Sequence, residues 1–263
     1  MVRDLVKEVV QEAVEVKTVE ISKQKEEKRG PGAVNLENWS PKTELGRKVK
    51  AGEIADIAQI FDKCLTILES EIVDALLPNT ETALVMVGQS RGKFGGGKRT
   101  IWRQTQKKTC EGNKPKFTAV ALIGNKDGYV GLGVGSARET MPSRDKAIRQ
   151  AKLNLIRIKR GCGSWECSCS GPHSIPFKVK GRCGSVRLVI MPAPKGSSLR
   201  IEKECQKMLM LAGIKDVYSK TRGQTVTKMN LIKACFSALK QLTSVRVLPD
   251  YIKKFGIVEG RNV

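Results

Sequence analysis

Three cysteines and the only histidine of the chain lie within one short segment, CGSWECSCSGPH. Cys162, Cys167, Cys169 and His173 follow the spacing C-x4-C-x-C-x3-H. Thiolates together with an imidazole are the ligand types of closed, tetrahedral zinc sites, although this spacing is not that of a standard zinc finger. A polar loop with reduced thiols explains the same residues. The sequence therefore leaves two interpretations open, a structural zinc ion and a metal-free loop.

A second candidate site is the stretch GKFGGGKRT at residues 92–100. Gly92, Gly97 and Lys98 reproduce the G-x-x-x-x-G-K part of a P-loop, but Arg99 stands where the Mg²⁺-binding Ser or Thr should follow. A P-loop also needs a helix after it, so that the helix N-terminus faces the phosphates. The residues that follow Arg99 have no apolar stripe. A P-loop nucleotide-binding protein is therefore kept only as an alternative function.

The same region is densely basic. Between Gly88 and Lys116 there are nine Lys and Arg residues and one acid, Glu111. Glycine lets the backbone approach phosphates closely, and aromatic side chains among the cations can stack on unpaired bases. We therefore predict a long RNA-binding loop over residues 91–116. Its predicted contact residues are Arg91, Lys93, Phe94, Lys98, Arg99, Trp102, Arg103, Lys107, Lys108, Lys114 and Lys116.

Glycines also alternate in the segment GYVGLGVGSA, at residues 131, 133 and 135. This is not the G-x-G-x-x-G spacing of a dinucleotide-binding turn, and the segment has the character of a strand. Alternating glycine in a strand indicates that a backbone or a ligand approaches closely. We predict a second RNA-facing surface here, formed by Gly128, Gly131, Gly133, Arg138, Arg144 and Arg149.

Composition narrows the class of protein. The chain of 263 residues carries a net charge of +22, which favours a polyanionic partner such as nucleic acid. Its apolar runs are far too short to span a bilayer, and its first residues do not resemble a signal peptide, so we expect a cytoplasmic protein. The five cysteines outside the cluster fit reduced thiols. With one histidine and no paired carboxylates in a cleft, we expect no enzymatic activity.

Hydrophobic periodicity predicts an α+β fold. Helices are predicted at 1–16, within 39–78, at 141–158, at 201–213 and from Thr225 onward, and strands at 83–89, 117–125, 128–137, 173–179, 185–193 and 214–220. The motif NKDG predicts a hairpin turn at 125–128, and Gly213 predicts a helix C-terminus. The predicted organisation is an N-terminal extension at 1–38 that is partly helical or disordered, a helical segment at 39–79, an RNA-binding domain at 80–160, a Cys-rich connecting loop at 161–173, a C-terminal domain at 174–245 and a basic tail at 246–263.

Several of these segments together resemble one family. The run FTAVALIGNKDGYVGLGVGSARE with AIRQAKLNLIRIKRG resembles the signature of ribosomal protein S5 of the small subunit. GSVRLVIMPAPKGS and MLMLAGIKDVYSKTRGQTVTKMNLIKACFSAL are similar to its C-terminal domain. WSPKTELGRKVKAGEI and RGCGSWECSCSGPHSIPFKV are similar to the archaeal and eukaryotic branch, nearer the archaeal form. The resemblance covers residues 39–242.

The resemblance implies a fold and a function. The implied fold is a domain like those that bind double-stranded RNA, followed by an S5 domain-two-like α+β sandwich. The implied function is structural: the protein would bind small-subunit rRNA, contact other ribosomal proteins (the S4 type especially), lie near the mRNA entrance and support translational accuracy. The alternatives are the P-loop protein and an RNA-binding regulator that acts outside the ribosome.

Overall fold

The computed structural model describes residues 39–89, 99–167 and 169–260. The extension predicted for 1–38 lies outside these ranges, and the residues from Pro41 onward belong to one compact unit. The helices of the described residues are α1 (Glu44–Lys50), α2 (Ile57–Asp62), α3 (Ser70–Leu76), α4 (Thr140–Leu153), α5 (Lys203–Leu211), α6 (Lys228–Ser244) and α7 (Pro249–Phe255). The strands are β1 (Glu81–Leu84), β2 (Arg103–Thr109), β3 (Gly112–Gly124), β4 (Tyr129–Ala137), β5 (Leu155–Arg157), β6 (Lys159–Arg160), β7 (Val179–Cys183), β8 (Val186–Pro192), β9 (Leu199–Arg200), β10 (Val217–Arg222) and β11 (Val258–Glu259).

The first sheet has the order β1-β3-β4-β5, and β2 pairs with β3 beyond β1. The predicted hairpin turn between β3 and β4 is confirmed. The side-chain oxygen of Asn125 accepts the N–H groups of Asp127 at 2.8 Å and Tyr129 at 3.2 Å, and Gly128 adopts the left-handed φ of 86° that the turn needs. Local sequence chemistry thus sets the register of the two central strands.

The alternating glycines of β4 lie under helix α4. A Cβ on Gly131 or Gly133 would come within 2.2 Å and 2.1 Å of the carbonyl oxygens of Ala151 and Ala147, respectively. Ala119 and Ala121 of β3 continue this small-residue face and pack with Ala147. The backbone of Gly260 covers Gly128 as well, because a Cβ added at Gly128 would lie 2.7 Å from the carbonyl oxygen of Gly260. The RNA-facing role predicted for Gly128, Gly131 and Gly133 is therefore wrong: close approach occurs, but it is protein backbone that approaches.

Gly133→Ala should destabilise the fold by about 3 kcal/mol, because the added methyl group must push α4 away from the sheet. The matched control is Gly171→Ala, where the new Cβ would have no neighbour closer than 3.8 Å. Urea unfolding of both variants measures the difference. Equal stability of the two variants would contradict the close packing of α4 on β4.

The opposite face of the first sheet carries large apolar side chains. Val120, Leu122, Val130 and Leu132 belong to the same buried cluster as Ile190, Leu209 and Leu239 of the C-terminal half. Because strand residues alternate between faces, the sheet buries small residues beneath α4 and large residues against the second module. The two modules therefore share one core.

The second sheet has the order β7-β8-β10-β9, in which only β9 runs parallel to its neighbour. Helix α6 packs on its inner face, where a Cβ on Gly181 would lie 1.9 Å from the carbonyl oxygen of Ala234. Helix α5 ends at Leu211, followed by Gly213 with a φ of +79°, which confirms the predicted glycine C-terminus.

Two parts of the chain differ from the predicted elements. The helix predicted for 141–158 ends at Leu153, and Leu155–Arg157 pairs with β4 as an edge strand. The basic tail at 246–263, for which no helix or strand was predicted, contains α7 and then β11, which pairs with β6. These elements are short and make main-chain contacts with distant segments, so local periodicity does not reveal them. No helix within the described residues combines the length and the apolar character needed to cross a membrane.

Candidate nucleic-acid interface and cysteine cluster

Half of the predicted basic loop is a β-hairpin. β2 pairs with the first half of β3 from Arg103↔Thr118 to Thr109↔Gly112, and the chain reverses at Cys110 and Glu111. Gly112 takes a φ of +115°, and the hydroxyl of Thr109 donates to its carbonyl oxygen at 2.8 Å. The prediction of a loop throughout 91–116 is wrong here. The ladder was missed because both faces are exposed and polar, so the strands lack the apolar alternation that normally marks them.

The register of this hairpin collects its cations on one face. Because directly opposed residues and every second residue along a strand share a face, Arg103, Lys107, Lys114 and Lys116 lie together and Lys108 lies on the other side. We call these four residues the hairpin face. All four are exposed, and Lys107 lies directly opposite Lys114. Opposed like charges are destabilising in isolation, so an anionic partner would stabilise this arrangement.

One acid lies close to the hairpin face. The Oε2 atom of Glu111 forms an ion pair with Nζ of Lys114 at 2.6 Å, and both side chains are more than half exposed. Exposed pairs of this kind contribute little to stability and exchange readily for a stronger anionic partner. The hairpin therefore keeps a strong positive charge at the surface.

The other predicted contact residues of this region have different positions. Trp102 is half-buried and packs with Leu84 and Ile148 against the small-residue face of the first sheet. Protein therefore covers part of this side chain, and its stacking on a base stays a prediction. Arg99 lines a cleft of about 610 Å³ together with Arg200 and Lys228. Four further predicted residues lie outside the described ranges: Arg91, Lys93, Phe94 and Lys98.

The arginines predicted around helix α4 are only partly accessible. Arg138 and Arg149 are exposed, whereas Arg144 is half-buried and its Nε atom is shielded from solvent. Because the glycines of β4 are buried, the predicted second RNA-facing surface is reduced to these arginines. Arg138 and Arg149 remain candidates for individual phosphate contacts.

A second cationic surface was missed by the sequence analysis. The outer side of the second sheet, which we call the strand face, brings Arg182, Arg187 and Arg222 side by side across β7, β8 and β10. The adjoining rows add Lys180, Lys220 and Arg200, whose guanidinium lies 5.9 Å from the ring centroid of Tyr218. None of these four strands contains an acidic residue. The sequence signal for the strand face was the alternation of cations with other residues in VKGRC and VRLVI. Only the strand register shows that these cations lie side by side on one face.

The cysteine cluster is brought together by the fold. The candidate ligand atoms of Cys162, Cys167, Cys169 and His173 all lie within 4.8 Å of one another. Nε2 of His173 is 3.9 Å from Sγ of Cys167, and Nδ1 is 2.9 Å from a carboxylate oxygen of Asp216. Asp216 was not predicted as part of this site. It comes from the segment before β10, 43 residues from His173.

The surroundings of two thiols shift their pKa values in opposite directions. The backbone N–H of Lys195, with help from neighbouring thiols and the N–H of Cys169, lowers the pKa of Cys167 to about 6. Burial, followed by contact with the sulfurs of Cys169 and Cys167, raises the pKa of Cys162 to about 11. Cys205 and Cys235, two of the isolated cysteines, contact each other in the core, where the neighbouring thiol and burial raise the pKa of Cys205.

Comparison with known proteins gives a consistent result. A model of the ribosomal protein S5 N-terminal domain matches residues 101–159, and a model of its C-terminal domain matches residues 181–251. The small ribosomal subunit protein uS5 of Nanoarchaeum equitans is 50% identical over 227 residues, which cover 86% of this chain and 97% of that protein. The uS5 protein of Methanocaldococcus jannaschii is 48% identical over 227 residues, which cover 86% of this chain and 98% of that protein. The N-terminal model matches the range that forms most of the first sheet, and the C-terminal model matches the range that forms most of the second sheet.

Proposed function

The chain belongs to the ribosomal protein S5 family, and on that premise we propose that its cationic hairpin face and strand face bind small-subunit rRNA. It is a structural constituent of the small ribosomal subunit and not an enzyme. The observation that carries the proposed RNA contacts is the hairpin face, where four exposed cations share one side of a two-stranded ladder. A hairpin with no apolar face has little reason to be retained for packing, whereas it suits a polyanion.

The structure also bears on the nucleotide-binding alternative. A P-loop leads into a helix whose N-terminus faces the phosphates. Here Arg99 is followed within a few residues by β2, an antiparallel strand. Cations at the start of a strand do not provide the convergent N–H groups of a helix terminus. This geometry favours the structural RNA-binding role over a nucleotide site.

The two faces would act chiefly through phosphates. Lys and Arg side chains that neutralise phosphates release condensed counterions, and each such contact adds about 0.7–0.9 to the salt slope of binding. The strand face also offers Tyr218, whose ring lies beside Arg200 and can stack on an unpaired base. The hairpin face would contact phosphates along two strands, whereas the strand face would contact them across four strands.

The finer aspects of the function rest on the family resemblance. We propose contacts with neighbouring ribosomal proteins, among them the S4 type, a position near the mRNA entrance, a contribution to translational accuracy and a cytoplasmic location. The exposed Tyr251 and Ile252 of helix α7 offer a small apolar surface for a protein neighbour.

The experiment that tests the proposed function is sedimentation of a tagged full-length chain from a native cell extract. The chain is expected to travel with small ribosomal subunits and to remain there at moderate salt. A chain that sediments alone, with small subunits intact in the same gradient, would support the extraribosomal regulator instead.

The strand face can be tested separately. Replacing Arg182, Arg187 and Arg222 by glutamine should weaken binding of the full-length chain to protein-free small-subunit rRNA by roughly tenfold or more, and lower the salt slope by about 2. The fold should be unaffected, because all three side chains are exposed. Nitrocellulose filter binding at several salt concentrations measures both quantities. An unchanged slope would remove this face from the interface.

A further inference from the structure

We propose that Cys162, Cys167, Cys169 and His173 together bind one structural zinc ion. Nothing in the ribosomal role requires this ion, and the inference rests on the geometry of the four side chains. They come from one short loop whose neck is closed by two hydrogen bonds between Gly161 and Ser174, at 3.0 Å and 3.2 Å. The closed neck holds the two ends of the loop together, and the four ligand atoms lie within 4.8 Å of one another.

The distances fit a tetrahedral ion. With Zn–S bonds of about 2.3 Å, the sulfur atoms of a tetrahedral site are about 3.8 Å apart. The four candidate ligand atoms lie within 4.8 Å of one another, and the pair Sγ of Cys167 and Nε2 of His173 is already at 3.9 Å. Closing these separations by up to about 1 Å would complete the site. Three sulfurs and one nitrogen fill the tetrahedron, so the site has a structural character and not a catalytic one.

The imidazole of His173 is held in the orientation that metal binding needs. Asp216 accepts from its Nδ1 at 2.9 Å, which leaves Nε2 directed at the thiols. Both side chains are buried, with 9% of His173 and 4% of Asp216 exposed. Carboxylate partners of this kind fix the tautomer and orientation of metal-binding histidines.

Asp216 is itself fixed by its surroundings. Its other carboxylate oxygen accepts the backbone N–H groups of Gly196 at 3.1 Å and Ser198 at 2.9 Å. Its carbonyl oxygen accepts from the hydroxyl of Ser174 at 2.6 Å. These hydrogen bonds fix Asp216, and through it His173, and they tie the cluster to the second sheet.

The ion would also hold the C-terminal segment. The N–H of Cys162 donates to the carbonyl oxygen of Phe255 at 2.9 Å, and the hydroxyl of Ser170 donates to that of Lys254 at 3.1 Å. Helix α7 buries none of its own residues, so these bonds from the cysteine loop are an important part of its attachment. Loss of the ion should therefore loosen α7 before the sheets are affected.

The test is zinc analysis of the purified full-length chain, kept reduced, by mass spectrometry. The wild-type chain and the control Cys64→Ser, which alters an exposed thiol outside the cluster, should each hold one zinc ion per chain. Cys167→Ser should lose most of it. Zinc at the same low level in the wild type and in Cys167→Ser would overturn the proposal.

Two further measurements keep the test decisive if Cys167→Ser folds poorly. Cobalt bound in place of zinc should give thiolate-to-metal charge transfer and the visible bands of a tetrahedral site, and both should persist with altered energies in His173→Cys. Asp216→Asn should bind zinc about 10- to 100-fold more weakly in competition with a chelator. A cobalt spectrum without thiolate charge transfer would count against the site. An unchanged zinc affinity of Asp216→Asn would count against the role of Asp216.

Discussion

Replacing Arg103, Lys107, Lys114 and Lys116 by glutamine is expected to weaken binding of the full-length chain to small-subunit rRNA by about a hundredfold at moderate salt. At such salt each lost phosphate contact removes roughly 0.7 kcal/mol of counterion-release free energy, so four contacts amount to about a hundredfold in affinity. Four contacts also lower the salt slope by about 3. The register that places these residues on one face makes them act together, so the combined variant should lose much more than any single one.

The measurement is a salt titration of rRNA affinity, with a control of equal charge change. Lys50, Lys63, Lys203 and Lys215 are exposed and lie outside both cationic faces, so replacing them by glutamine removes the same charge from the chain. If net charge alone drives binding, the two variants will weaken it equally. Our account predicts a smaller change in slope for the control, and equal slopes would contradict the hairpin face as an interface.

Asp74→Ala is expected to destabilise the fold by about 3–5 kcal/mol. The carboxylate of Asp74 in α3 pairs with Nζ of Lys152 in α4 at 2.6 Å, and only 15% and 8% of the two side chains are exposed. Burial raises the pKa of Asp74, while the hydrogen bond and the charge of Lys152 act in the opposite direction. Removing the carboxylate leaves a buried ammonium group without this partner.

Chemical unfolding compares this variant with an exposed pair. Glu44 and Lys48 form an ion pair at 2.7 Å on the surface of α1, and Glu44→Ala should have little effect on stability because water screens this exposed pair. The double variant Asp74→Ala with Lys152→Met should recover much of the loss, since no buried charge remains. If Asp74→Ala and Glu44→Ala destabilise equally, then the Asp74–Lys152 pair does not join the two helices as described.

Features set by short-range chemistry could be predicted from the sequence. The turn at Asn125–Gly128 depends on one side-chain oxygen and one left-handed glycine, and the end of α5 at Gly213 depends on another. The turn and the helix end can each be recognised from about four consecutive residues of the sequence. The α+β class and its family were readable for the same reason, because periodicity and motif order are local properties of the chain.

Features set by distant contacts could not be predicted in this way. The half-burial of Trp102, for example, depends on the small side chains of Ala119 and Ala121, against which it packs in the first sheet. The strand face depends on the register that aligns Arg182, Arg187 and Arg222 across three strands. No local pattern specifies such a register.

The cysteine cluster depends both on short-range sequence spacing and on a distant contact. The spacing of its thiols and histidine was visible as a possible ligand set. Its partner Asp216 was not, because 43 residues and the whole of helix α5 separate it from His173. A site can thus be suspected from its ligands while the group that orients one of them stays hidden until the chain is folded.

The most direct test of the central claim, that the hairpin and strand faces bind rRNA, is ultraviolet crosslinking of native small ribosomal subunits followed by peptide mapping. Our account predicts nucleotides of small-subunit rRNA attached to peptides that span residues 103–116 and to peptides from β7, β8 or β10. Crosslinks from this chain that arise only from other segments, with both faces free of RNA, would contradict it.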